Sequence, residues 1–138
     1  MIRTSFFDIQ TRGDTDIVDI TPHVVEELRK SALAEGLATV FVSGSTAGIT
    51  TIEFEPGLVK DVQSLFEKIA PEGERYVHEE AWHDGNGHSH VRSALLKTSI
   101  AVPFLDKKLL LGTWQQIVLI DFDNRSRKRH LVTQFVGE

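Results

Sequence analysis

Gln116-Ile117-Val118-Leu119-Ile120-Asp121-Phe122 is an apolar, strand-like run that stops at Asp123-Asn124-Arg125-Ser126, a string of turn formers, and a second such run follows at 130–136. Short apolar runs bounded by turn chemistry read as strands. Upstream, 99–105 and 108–112 have the same character and are parted by Asp106-Lys107, so the last third of the chain predicts four strands. Thr39-Val40-Phe41-Val42 and Ile49-Thr50-Thr51-Ile52-Glu53-Phe54 are further β-branched runs, flanking the small-residue loop Ser43-Gly44-Ser45-Thr46-Ala47-Gly48. At the start, residues 2–9 and 15–20 gather Ile, Phe and Val on either side of Thr11-Arg12-Gly13-Asp14, which predicts an antiparallel hairpin.

Two segments carry a helical period instead. Thr21 before Pro22 forms an N-cap and first-position pair, Val25, Leu28 and Ala32 recur at helical spacing, and Gly36 supplies a stop, predicting a helix over about 22–35. Pro56 opens the second, in which Leu58, Val59, Val62, Leu65, Phe66 and Ile69 share one face before Pro71. The expected fold is α+β, a largely antiparallel sheet with two main helices in a single compact domain over 1–138.

Composition narrows the function. A chain of 138 residues, 41% hydrophobic and 25% charged, buries enough surface to fold without a metal or disulfides and lies outside the regime of extensive disorder. Twenty acidic against fifteen basic side chains give a net charge of −5, which argues against nucleic acid as a partner. The absence of cysteine removes disulfides, thiolate nucleophiles and Cys-based metal sites. No apolar stretch approaches the ~20 residues of a membrane span, and Asp8 falls where a signal peptide needs an apolar core, so a soluble cytoplasmic protein without a membrane partner is expected.

The chemistry concentrates in Tyr76-Val77-His78-Glu79-Glu80-Ala81-Trp82-His83-Asp84-Gly85-Asn86-Gly87-His88-Ser89-His90, which holds four of the six histidines. Neutral imidazoles beside carboxylates suit a borderline divalent cation, zinc above all. His88 and His90 point the same way only on extended backbone, and Gly85 and Gly87 favour that conformation. Asp84 and Asn86 beside glycines serve either loop closure or binding, and Glu53 points either to solvent or into a site.

Two further segments could hold an anion. Gly44-Ser45-Thr46-Ala47-Gly48 offers backbone N–H groups and hydroxyls, without the lysine of a P-loop. Arg125-Ser126-Arg127-Lys128-Arg129-His130 is basic within an acidic chain. Strand periodicity sets Arg127 and Arg129 on one side and Lys128 and His130 on the other, so only one pair can line a pocket. Gly112-Thr113-Trp114-Gln115-Gln116 reads equally as a sheet bend and as part of a site.

Tyr76-Val77-His78, then Asp84-Gly85-Asn86-Gly87-His88-Ser89-His90-Val91 leading into Ser93-Ala94-Leu95-Leu96, then Val102-Pro103, Leu111-Gly112-Thr113-Trp114-Gln115 and Gly137-Glu138 together resemble the YjbQ family, also called UPF0047, whose members carry the name secondary thiamine-phosphate synthase. The resemblance spans nearly the whole chain. It implies a compact α+β fold, a homotrimer and a histidine site able to hold a metal. Many members have His-Thr-Thr-Ala where this chain has Gly44-Ser45-Thr46-Ala47, and many lack a histidine at position 88, so His88 is expected to supply the missing imidazole. Carried over, the resemblance makes His78 and His90 metal ligands, Glu53, Asp84 and Asn86 site-lining groups and Arg129 the anion contact; with His88 as the third expected metal ligand, Glu53, Asp84, Asn86 and Arg129 are the expected catalytic groups and Ser45, Thr46 and Gln115 the expected substrate contacts.

The implied reaction joins a pyrimidine pyrophosphate to a thiazole phosphate, with a small phosphorylated metabolite as partner and a divalent metal as cofactor. The alternatives are a metal-assisted phosphate-ester hydrolase and a non-catalytic protein that binds a metal or a phosphometabolite.

Overall fold

In the computed structural model, which describes residues 1–138, the run that begins at Gln116 forms β7 (Gln116–Asp121), a strand covered on both faces. Ile117 and Leu119 join a core that includes Ile9, Val40, Val42, Ile49, Val102 and Leu131, while Val118 and Ile120, with Phe122 just beyond, pack against Ile17 and Phe66. Burial on both sides removes the need for polar alternation, which is why this strand reads as a continuous apolar run. β8 (Arg127–Gly137) does alternate: Arg129, Leu131, Thr133 and Phe135 are buried, and Lys128, His130, Gln134 and Val136 are exposed.

The remaining elements in chain order are β1 (Ile2–Thr11), β2 (Asp16–Asp19), α1 (Thr21–Ser31), β3 (Gly36–Val42), β4 (Ala47–Ile52), α2 (Pro56–Ile69), α3 (Glu79–Trp82), α4 (Gly87–Leu96), β5 (Ser99–Leu105) and β6 (Lys108–Leu109). Every strand pairing is antiparallel. Five strands form one sheet in the order β1-β8-β3-β5-β6, and three form another in the order β2-β7-β4. The inner faces of the two sheets share the core around Val40, Ile49, Ile117 and Leu131, with Val24 of α1 completing it. Phe66 of α2 covers the other face of the smaller sheet.

Several expectations change. The α+β character and antiparallel pairing hold, but there are four helices where two main ones were expected. α3 is a single turn, and α4 escapes hydrophobic periodicity because its buried side chains are His88, Ser89, Arg92 and Ser93. Residues 2–9 and 15–20 do not pair with each other: β1 pairs with β8 and β2 with β7, placing them in different sheets. Helix α1 is capped at Ile20 rather than Thr21, whose hydroxyl accepts from Ile117 N at 2.8 Å, and it ends at Ala32 in left-handed conformation, ahead of Gly36. β4 ends at Ile52, so Glu53 lies beyond the strand expected to carry it.

Candidate functional site

At one end of the shared core the side chains turn polar. Arg129, inward on β8, meets Asp121, the last residue of β7, in the opposite sheet. Its Nε donates to Asp121 Oδ2 at 2.7 Å and its Nη2 to Oδ1 at 2.8 Å. Nη2 also donates to Thr46 Oγ1 at 2.6 Å, and the Thr46 hydroxyl donates to Asp123 Oδ2 at 2.9 Å. Thr11 donates to Asp121 Oδ2, and Arg127 Nε donates to Asp123 Oδ2 at 3.0 Å. Burial alone would raise the Asp123 carboxyl, but the Thr46 hydroxyl, the nearby Asn86 amide and the Arg127 guanidinium outweigh it and hold Asp123 below the ordinary carboxylate range. Asp123 Oδ1 is buried without a partner, whereas Arg129 Nη1 has no hydrogen bond within the chain and is not fully enclosed.

Helix α4 supplies His88 and His90, and His78 caps α3. Glu79 of α3 accepts from Gly85 N at 2.7 Å and from Gly87 N at 2.8 Å, so its carboxylate sits at the start of α4, where N–H groups lack helical partners and negative charge is favoured. Gly85 and Gly87 therefore introduce a helix, and the extended conformation expected for 88–90 is not formed. On a helix His88 and His90 diverge. His90 meets His78 with ring centroids 4.3 Å apart and planes inclined at 48°. His88 is buried beside Tyr76, at 6.5 Å between ring centroids.

Burial, then the charge of Arg92, pushes the His88 imidazole below its ordinary value. Burial, then His78, does the same to His90 and overrides the opposing pull of Asp84, Asp123 and Glu79. Both rings therefore hold the neutral form more strongly than a free imidazole does.

A cavity of about 640 Å³ opens beside His90, lined also by Gly44, Ser45, Ser93, Lys97, Thr98 and Ser99. Ser93 Oγ donates to Ala47 O at 2.5 Å, tying α4 to the start of β4. A second polar cavity, about 340 Å³, is lined by Asp84, Asn86, Asn124, Arg125 and Arg127. Asn86 itself is buried, where its Oδ1 accepts from Ser89 Oγ and from Asn124 N at 3.2 Å.

The structure thus gathers Ser45 and His90 around one cavity, with His78 against His90, and sets Thr46 and Arg129 in the adjoining polar network. Asp84 and Asn86 line the neighbouring cavity. Gln115 is elsewhere, donating to Thr51 Oγ1 at 3.0 Å beside a separate cavity that includes Ile100, Val102 and Leu111, and Glu53 is exposed outside these groups. Asp121, Asp123 and Lys97 were not anticipated. The first two could have been found as acids two apart in an apolar run, facing Arg127 and Arg129 two apart across the turn.

The expected metal does not fit this donor set. His78 and His90 provide two imidazoles, and His78 Nε2 is buried without a partner, but no three His, Asp or Glu side chains come together in a group able to hold an ion. A catalytic zinc site ordinarily has three protein ligands. His88 lies apart from the pair.

The class defined by these features is a two-sheet α+β domain with a polar, histidine-flanked cavity at one end of its core. The family described as UPF0047 protein YjbQ-like matches residues 5–138, and the chain belongs to the YjbQ/UPF0047 family. It is 32% identical to a UPF0047 protein of Methanocaldococcus jannaschii over 133 residues, covering 96% of this chain and 93% of that one. Identity to a UPF0047 protein of Archaeoglobus fulgidus is 35% over 124 residues, 90% of this chain and 94% of that one. Among solved structures, a YbjQ-like protein of unknown function from Sulfolobus solfataricus superposes with a TM-score of 0.90 at 29% identity over 100% of both chains. An uncharacterized conserved protein of the same family from Clostridium acetobutylicum gives 0.87 at 31% identity, covering 96% of this chain and 99% of that one. No helix is long and apolar enough to cross a membrane.

Proposed function

We propose that this chain is an enzyme acting on small phosphorylated metabolites at the cavity bounded by Gly44, His90 and Lys97, and that its reaction is thiamine-phosphate synthesis. One observation carries the reading: a cavity lined mostly by polar residues, with Lys97 on its wall and Arg129 beside Gly44, is flanked by the His90 imidazole. In the reaction the bond from the pyrimidine methylene carbon to pyrophosphate oxygen breaks, its electron pair leaving with pyrophosphate, and the thiazole nitrogen lone pair forms the new carbon–nitrogen bond. The barrier lies in charge growing on the leaving group, which Lys97 and Arg129 would offset and which the Ser45 and Ser99 hydroxyls can solvate. His90 can donate a hydrogen bond there without adding a buried charge.

The active form in this proposal is a homotrimer. The outer face of the larger sheet supports association, since Ile2, Phe6, Leu37, Phe41 and Val136 are exposed there on neighbouring strands. The deciding assay mixes the pyrimidine pyrophosphate with the thiazole phosphate and measures thiamine phosphate and pyrophosphate together. Equal release of both supports the synthase. A second reading, phosphate-ester hydrolysis, draws on the same His90, whose neutral form can take a proton from water; pyrophosphate or phosphate released without the coupled product would select it.

A further inference from the structure

Gly44 lies on the rim of the large cavity and directly over the Arg129 guanidinium. A Cβ built on Gly44 would stand 2.8 Å from Arg129 Nη1, with the guanidinium carbon next at 3.8 Å. Such a contact is too close, and Arg129 is poorly able to retreat. Its Nε and Nη2 are held by Asp121 and Thr46, and the residue is more than nine-tenths buried. The nitrogen facing Gly44 is the one whose N–H groups find no partner within the chain. Asp121 occupies the opposite edge of the guanidinium, leaving the Nη1 edge as its free face.

We infer that Gly44 is a specificity-determining residue: by lacking a side chain it opens a path from the cavity to Arg129 Nη1 and lets that atom bind a tetrahedral oxyanion, such as the terminal phosphoryl group of a phosphorylated substrate. The inference deepens the proposed function and rests on it for the class of ligand. Charge supports it. Lys97 lines the same cavity and supplies a second cation, and Ser45, Thr98 and Ser99 add hydroxyls that can donate to phosphoryl oxygens. Asp121 and Asp123 lie behind the guanidinium and oppose an anion. They also hold Arg129 in place, so that its free edge is ordered before a ligand arrives. A side chain at position 44 would fill the approach while leaving every charge unchanged.

Backbone conformation makes the test practicable. Gly44 is not in the left-handed region that side chains avoid, so alanine or serine can adopt its geometry. Binding of inorganic phosphate and of pyrophosphate would be measured by calorimetry for wild type, Gly44→Ala, Gly44→Ser and the control Gly73→Ala, whose site has open space around it. Wild type and Gly73→Ala should bind pyrophosphate alike. Both Gly44 variants should lose about tenfold or more, the scale of one charge-assisted hydrogen bond.

Nitrogen-15 resonances of the Arg129 guanidinium provide a readout on wild type that does not depend on variant folding, and pyrophosphate should shift them. Gly44→Ala binding as tightly as wild type, or Arg129 resonances unmoved at saturation, would overturn the inference while leaving a phosphate-handling enzyme in place. Failure of wild type to bind either anion would overturn both.

Discussion

Arg129 and Asp121 join the two sheets at two points, Nε to Oδ2 at 2.7 Å and Nη2 to Oδ1 at 2.8 Å, with the arginine side chain 9% exposed and the aspartate fully buried. Each charge has been taken out of water on the strength of the other. Removing one member of a buried pair strands its partner, at about 3–5 kcal/mol. Asp121→Ala should therefore lower unfolding free energy by about that amount in urea titrations. A loss below about 1 kcal/mol would place the pair among exposed, solvent-screened ion pairs. Arg129→Lys, which cannot keep both contacts, should destabilise the fold as well as weaken anion binding.

The two imidazoles at the cavity lead to a different measurement. With His78 and His90 adjacent and no third ligand assembled, zinc should bind weakly. His78→Ala and His90→Ala should each reduce that binding, and His88→Ala should leave it unchanged. Competition with a chromophoric chelator reads all three. Tight zinc binding by wild type that survives both alanine variants would remove the pair from metal chemistry.

Acid should weaken the fold through His88 and His90. Both have folded-state values pushed below the ordinary 6.5, by burial first in each case. The unfolded chain consequently takes up protons that the folded chain refuses. The associated stability is fully present above 6.5 and is lost as pH falls below it toward the depressed folded values. Asp123, held below 3.8, adds a further loss at lower pH. Unfolding free energy measured between about pH 7 and about pH 5 should fall, and His88→Asn should flatten the slope. An unchanged slope in that variant would mean that His88 protonates as readily folded as unfolded.

Phe6 is 74% exposed on β1, and Phe41 is exposed on the same outer face of the larger sheet. Phe6→Glu combined with Phe41→Glu should shift sedimentation equilibrium from trimer toward monomer at micromolar concentration, with little change in the secondary-structure spectrum. A wild-type monomer would sink the proposed assembly.

Legibility in the sequence followed the kind of burial. β7, apolar on both faces, and α2, with Val59, Val62 and Phe66 packed on the smaller sheet, announce themselves through hydrophobic pattern. Arg127 and Arg129 are less exposed than Lys128 and His130, as the strand period requires. Helix α4 was hidden because its inward residues are polar and its first glycine resembled loop chemistry. The partner of β1 was hidden too, since alternation reveals that a strand has two faces without revealing which distant strand lies beside it. At the site, the clustered imidazoles pointed to His78 and His90, the strand period grouped Arg129 with Arg127, and only the resemblance singled out Arg129 as an expected anion contact. That His88 departs from the group follows only from the helical backbone.

Ten consecutive residues of β1, Ile2 to Thr11, take partners from β8 between Val136 and Arg127, and the Met1 ammonium donates to Gly137 O at 2.7 Å. During translation β1 leaves the ribosome long before β8 exists. Its backbone donors and its inward apolar residues, Phe7 and Ile9 among them, stay in water until β8 has been made. Closure of the larger sheet thus waits for β8 to emerge, and truncating β8 would release β1 as an unpaired, sticky ribbon.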